Sequence, residues 1–275
     1  MQDMPDLKQL FPFPVTLQTT LARKEDLPAF TRTLALLQAL GFAGVELNLP
    51  DLQTFAPKEL HDLLARYGLR MTYLATGAYA KARGLSLSAP GAAARAAACA
   101  GVQENLAYAA AMGCGVILGF FKGTPLPDAA RAQADLADSL ARVCARAPGD
   151  VPILIEATNR RETSVVHTVA QADALAARLG DDRLRVLPDT YHMYYEEADG
   201  PAAVRAALGR VPNLHLSDDN RYFPGYGAID FSAWVRALLD MGYKGTCGVE
   251  GNLHTDLETD LVFTAQALAR AAAKA

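Results

Sequence analysis

Clustered positive charge, paired cysteines and long apolar runs are all missing from this sequence. Its 275 residues carry a formal net charge of −4, and no stretch combines massed Lys and Arg with interleaved aromatics. A nucleic-acid-binding surface is therefore not expected. No uninterrupted apolar run approaches the length needed to cross a bilayer, so no membrane partner is expected either. The four cysteines, Cys99, Cys114, Cys144 and Cys247, form no CxxC pair, which argues against a structural zinc site and a disulfide framework and for a reducing cytoplasm. Met1–Leu10 carries Asp3 and Asp6 with neither a basic leader nor a continuous apolar stretch, unlike a signal peptide. The expectation is a soluble, cytoplasmic protein.

What the sequence has is apolar material, 51% of its residues, enough for one large core at this length. Short apolar, β-branched runs alternate with longer stretches of helical period. The strand-like runs are Phe13–Leu17, Gly44–Leu47, Arg70–Ala75, Gly115–Phe120, Val151–Glu156, Leu184–Pro188, Asn213–Ser217 and Thr246–Glu250. Between them lie helical patterns such as Leu34–Leu40, Ala92–Met112, Ala129–Arg146, Val166–Leu179, Ala202–Leu208 and Phe231–Met241, with a last helix from about Asp256. The strand runs are continuous rather than alternating, as in parallel strands buried on both faces. Gly41, Gly68, Gly113 and Gly242 each stand between a helix and a strand, where a left-handed cap is wanted. About eight such βα units predict an α/β fold, a (β/α)8 TIM barrel, as one domain over 1–275 with residues 1–11 as an N-terminal extension. A doubly wound open sheet fits less well, because the first βα turn lacks GxGxxG.

Barrel enzymes place their chemistry at the C-terminal ends of the strands. Four successive runs here end on or carry a polar residue: Glu156, Asp189, His215 and Glu250. Singly, each has a plain structural explanation: a solvated loop Glu, an Asp capping the next turn, a satisfied core His. Together they would repel at one barrel mouth unless a divalent cation neutralised them. Three carboxylates and one imidazole suit Mn²⁺, with Mg²⁺ or Co²⁺ as the other candidates, better than zinc.

The segments around these residues, Glu156-Ala-Thr-Asn159-Arg160-Arg-Glu162-Thr163, Asp189-Thr-Tyr-His192-Met-Tyr-Tyr-Glu196-Glu197 and His215-Leu-Ser-Asp218-Asp-Asn220-Arg221-Tyr-Phe-Pro224-Gly225-Tyr-Gly227, resemble the xylose-isomerase-like TIM barrels, and within them the ketose 3-epimerases. Thr76-Gly77-Ala-Tyr79 with Gly84-Leu-Ser-Leu-Ser88, and Ile117-Leu-Gly119-Phe-Phe-Lys122-Gly123, resemble the branch containing 5-keto-L-gluconate epimerase. The resemblance implies that Glu156, Asp189, His215 and Glu250 bind the metal. It also implies that Glu162, His192 and Arg221 hold the substrate's carbonyl end, and that the protein is a homo-oligomer, a dimer or tetramer. The sequence departs from the family pattern at Ala157-Thr158, Tyr194-Tyr195, Lys122 and Gly251-Asn252, around the pocket rather than at the ligands.

The expected reaction is metal-dependent C3 epimerisation of a ketose or keto-sugar acid through a cis-enediolate. Glu156 and Glu250 approach the sugar from opposite faces, one taking the C3 proton and the other supplying one. Tyr79, Phe121 and Tyr194 are candidates for an aromatic wall around the far end of the sugar, with ordinary packing as the alternative. An aldose–ketose isomerase or an inosose-type dehydratase would use the same constellation. An endonuclease IV-like phosphodiesterase would need a histidine-rich multi-zinc cluster, and this chain has five His, of which His61 and His167 fall in helical patterns.

Overall fold

A computed structural model describes residues 4–275. Eight parallel strands form its centre: β1 (Val15–Thr20), β2 (Gly44–Asn48), β3 (Arg70–Ala75), β4 (Gly115–Leu118), β5 (Ile153–Glu156), β6 (Leu184–Leu187), β7 (Asn213–Leu216) and β8 (Thr246–Val249). Around them lie α1 (Leu7–Leu10), α2 (Leu27–Ala39), α3 (Pro57–Ala65), α4 (Gly77–Arg83), α5 (Ala92–Met112), α6 (Ala129–Cys144), α7 (Val169–Leu179), α8 (Thr190–Glu196), α9 (Gly200–Ala206), α10 (Phe231–Asp240) and α11 (Leu257–Lys274). The strands pair in the order β6-β5-β4-β3-β2-β1-β8-β7. A parallel bridge between Asp189 and His215 crosses the remaining gap, with the His215 N–H donating to Pro188 O at 2.9 Å. This is the expected (β/α)8 barrel, and it closes at two of the predicted ligands.

The continuous apolar runs become strands because both of their faces are covered; every residue of β4, β5, β7 and β8 is buried. Alternate side chains point outward into the core shared with the helices, such as Val116, Ile153 and Val186. Tyr73, Ile117, Leu154 and Leu187 form a separate cluster that fills the barrel. Helices begin where a side chain can accept the first free N–H groups: Asp128, Thr168, Asp199, Asp230 and Asp256 cap α6, α7, α9, α10 and α11. Gly41, Gly68, Gly113 and Gly242 adopt φ of 74°, 62°, 67° and 65°, as their spacing predicts.

Three differences from the sequence reading have local causes. The short helices α4 and α8 lie in the loops after β3 and β6, too brief for periodicity to reveal. Helix α7 starts three residues later than Val166, because Val166 takes a φ of 56° and Thr168 caps the helix; His167 therefore lies outside it. Within the expected 1–11 extension, Leu7 and Phe11 are buried and the Leu7 N–H donates to Leu40 O at 3.0 Å, while Met1–Asp3 lie outside the described residues. Among the described residues no helix is long and apolar enough to cross a membrane.

Candidate metal centre and substrate cleft

Glu156 ends β5, Asp189 follows β6 by two residues, His215 lies within β7, and Glu250 follows β8 directly. Each offers one ligand atom, and the four atoms lie within 4.8 Å of one another. Oxygen and nitrogen ligands at about 2.0–2.4 Å from a divalent cation would have mutual separations in this range. Asp189 also caps α8, with Oδ1 accepting from the Tyr191 N–H at 2.8 Å, so its capping and clustering roles use different oxygens.

The residues fit a cation on a second count. His215 Nδ1 and Glu250 Oε2 are buried without a hydrogen-bond partner; they stand 2.6 Å apart, but their alignment is not that of a hydrogen bond. Burial opposes protonation of His215, yet Glu46 and Glu250 outweigh it and push its pKa well above the usual range. A cation can take that proton's place. Burial raises Asp189 against the pull of Arg221 and His192. Glu250 is also opposed by burial, but Arg221 and His215 hold its carboxylate well below the usual range.

Glu46, which the sequence reading missed, orients the imidazole. It lies in the middle of β2 and is fully buried. Its Oε2 accepts from His215 Nε2 at 2.8 Å, while Oε1 accepts from Asn213 Nδ2 at 2.8 Å and Thr16 Oγ1 at 3.1 Å. With Nε2 carrying the proton, Nδ1 presents its lone pair to the cluster. The signal in the sequence was a lone Glu inside the apolar run Gly44–Asn48. Two glycines leave room for this arrangement. A Cβ on Gly248 would press on Glu46 and His215, and one on Gly119 would overlap the Glu156 carboxylate.

Arg221 reaches two of the candidate ligands, with Nη1 at 2.5 Å from Asp189 Oδ2 and Nη2 at 2.8 Å from Glu250 Oε1. It does not pair with Asp218 or Asp219. Asp218 instead accepts from the N–H groups of Gly225, Gly227 and Ile229, folding the loop that carries Arg221. Arg221 itself sits at φ 64°, an uncommon value for a residue with a side chain. His192, on α8, points Nε2 at Glu156 Oε1, 3.5 Å away. Its Nδ1 accepts from Asn159 Nδ2 at 2.8 Å, and the same amide donates to Glu162 Oε1 at 3.1 Å. Asn159 Oδ1 accepts from the Arg161 N–H at 3.0 Å, which fixes the amide's orientation and so leaves the His192 proton on Nε2.

A cleft of about 190 Å³ opens over the cluster, lined by Glu156, Glu162, His192, Arg221 and Glu250 and, across from them, by Gln18, Asn48 and Phe120 among others. A larger cavity of about 550 Å³ opens elsewhere, beside Arg70, Gly115 and Thr246 at the N-terminal ends of their strands; its lining has one acid, Asp150, and no histidine. The titratable groups gather in the smaller one. Glu162, His192 and Arg221 thus lie with the four candidate ligands, whereas Tyr79, Phe121 and Tyr194 do not line the cleft as the expected wall would. Tyr79 and Phe121 stack at 6.3 Å in the core, where the Tyr79 hydroxyl donates to Glu104, and Tyr194 is 53% exposed on α8. The aromatic in the lining is Phe120.

Lys122 is fully buried, and its Nζ donates to Thr158 Oγ1 at 2.7 Å. Burial pulls its pKa down to about 8, against the opposing pull of Glu156 and Glu162. Two departures from the family pattern are therefore one physical contact.

Comparison with known proteins agrees with this architecture. The sequence matches 38% of residues in L-ribulose 3-epimerase of Mesorhizobium japonicum over 114 positions, which is 41% of this chain and 38% of that protein. The curated match thus spans well under half of that relative's length. Among solved structures, an L-ribulose 3-epimerase superposes with a TM-score of 0.75 at 25% identity, covering 95% of this chain and 96% of that one. The Escherichia coli 3-keto-D-glucoside 4-epimerase superposes with a TM-score of 0.76 at 20% identity, covering 94% and 99%. The family described as "Xylose isomerase-like TIM barrel" matches residues 34–273, and the chain belongs to that family.

Proposed function

We propose that this protein is a metal-dependent epimerase that inverts C3 of a ketose or keto-sugar acid. The observation that carries this reading is the pair of glutamates, Glu156 buried at the end of β5 and Glu250 partly buried directly after β8, held beside one imidazole and one further carboxylate. Glu156, Asp189, His215 and Glu250 would hold a divalent cation, Mn²⁺ first among the candidates, which when bound supplies charge stabilisation for a developing oxyanion. Removal of the C3 proton by one glutamate leaves a cis-enediolate, and delivery of a proton by the other on the opposite face inverts the centre. The His192 Nε2–H is aimed into the same space and would orient a substrate oxygen. Arg221, bridging Asp189 and Glu250, holds both carboxylates in place and would bind the substrate's carbonyl end. Glu162, tied to Asn159, would take a sugar hydroxyl.

Proton exchange tests the reaction class. Candidate ketoses incubated in D₂O with Mn²⁺ should gain deuterium at C3, with both C3 epimers appearing in the NMR spectrum. Deuterium at C1 or C2 with an aldose product would identify an isomerase instead. A product lighter by one water would identify a dehydratase.

A further inference from the structure

Lys122 is an expensive residue to bury. An ammonium taken from water loses several kcal/mol of hydration unless other groups replace it. The loop after β4 nevertheless holds it in place: Ser88 N–H donates to Lys122 O at 3.1 Å, and Leu87 N–H to Phe121 O at 3.0 Å. The one hydrogen-bond partner of its ammonium among the described residues is the hydroxyl of Thr158, which lines the cleft.

Thr158 is pinned as tightly. Its N–H donates to Val166 O at 3.0 Å, and its carbonyl lies 3.2 Å from His167 Nδ1. Val166 is held at φ 56°, a conformation that a β-branched residue adopts only at a cost, and such strain concentrates at functional sites. Lys and Thr divide the hydrogen bond in only one way. The ammonium has donors and no acceptor, so the Thr158 oxygen accepts and its own proton must point elsewhere. Among the described residues nothing takes that proton, and the residue borders the cleft. The hydroxyl is thus an obligate donor, polarised by the cation behind it.

We infer that Lys122 and Thr158 form a specificity-determining subsite in which the Thr158 hydroxyl donates to an oxygen substituent of the sugar away from the reacting carbon. Thr158 lies on the flank of the cleft built by the loops after β4 and β5, with Lys122 buried behind it, and neither residue is among the candidate ligands or the proton-transferring groups. The inference rests on the epimerase reading and adds to it a preference for one particular oxygenated carbon. Valine at 158 keeps the shape and removes the donor, whereas serine keeps the donor.

The test measures kcat and KM of wild type, Thr158→Val, Thr158→Ser and Lys122→Met with Mn²⁺. The substrates are a turned-over ketose, its deoxy analogues with one hydroxyl removed at a time, and a keto acid of the same length. Calorimetric binding of each sugar accompanies the kinetics. Thr158→Val should lower kcat/KM about ten- to a hundredfold through KM on the parent sugar, the loss expected for a charge-assisted hydrogen bond. It should leave one deoxy analogue within about twofold, the range of an indifferent substitution. Thr158→Ser should restore the discrimination, and Lys122→Met should weaken it for the same analogue. If the keto acid suffers the largest loss, the accepted oxygen is a carboxylate oxygen; if a deoxy sugar alone escapes the loss, it is a hydroxyl. An equal loss on every sugar, or none, overturns the subsite while wild-type C3 exchange leaves the epimerase reading intact. Absence of C3 exchange in the wild type overturns both. Should Thr158→Val melt early, the split between sugars in Thr158→Ser and Lys122→Met decides the matter.

Discussion

Replacing Glu46 with Gln probes the metal centre without touching a ligand. Glu46 serves two sets of donors, Asn213 and Thr16 on Oε1 and the His215 Nε2–H on Oε2. Gln can match only one set. If its oxygen keeps Asn213 and Thr16, its NH₂ faces Nε2 and drives the imidazole to the tautomer protonated on Nδ1, which has no lone pair for a cation. If the amide turns over, its NH₂ confronts the Asn213 NH₂. Asn213 cannot follow, because its Oδ1 accepts from Thr246 Oγ1 at 2.6 Å. Either orientation costs one buried hydrogen bond or the correct tautomer. Losing a carboxylate behind a ligating histidine weakens metal affinity by about 10- to 100-fold, equivalent to roughly 1.4–2.8 kcal/mol. Calorimetric titration of Mn²⁺ into metal-free wild type and Glu46→Gln measures it directly, with circular dichroism as the folding control. An affinity within about twofold of wild type, a change of roughly 0.4 kcal/mol, would refute the tautomer argument.

Glu156→Gln and Glu250→Gln should each nearly abolish epimerisation, yet differ in partial exchange. The variant retaining the glutamate that faces the C3 hydrogen of a given epimer should still wash it into D₂O, and the other variant should do so only with the opposite epimer; near-normal turnover in both would remove the two-base mechanism. Gly119→Ala should displace the buried Glu156 carboxylate, lowering Mn²⁺ affinity and kcat together with the melting temperature, and an unaltered titration would show that the loop absorbs the methyl group. Lys122 titrates near 8 in the folded chain against 10.5 for the ordinary group, so between these values the unfolded chain binds more protons and stability rises with pH. Below pH 8 the cost of the buried charge is fully present, and its relief by pH 10.5 amounts to about 3 kcal/mol; urea unfolding across this window should show a flatter profile for Lys122→Met than for wild type.

The barrel and its four candidate ligands were legible because they are written in local pattern. Continuous apolar runs mark strands covered on both faces, glycines mark the turns that need positive φ, and a polar residue closing an apolar run stands at a strand's end wherever the chain goes afterwards. Glu156, Asp189, His215 and Glu250 needed only that rule and the convergence of strand ends that a barrel imposes. The role of Glu46 was not legible. Glu46 lies 169 residues from His215, and only the order β2-β1-β8-β7 and its register bring the two within 2.8 Å. The same holds for Lys122 with Thr158, for Arg221 bridging Asp189 and Glu250, and for Tyr79 and Phe121, whose aromatic character suits a pocket wall and a core equally. Periodicity specifies which face of its own strand or helix a side chain occupies. Which side chains meet is decided by inter-strand register and by closure between β6 and β7, and these emerge from packing the whole barrel at once.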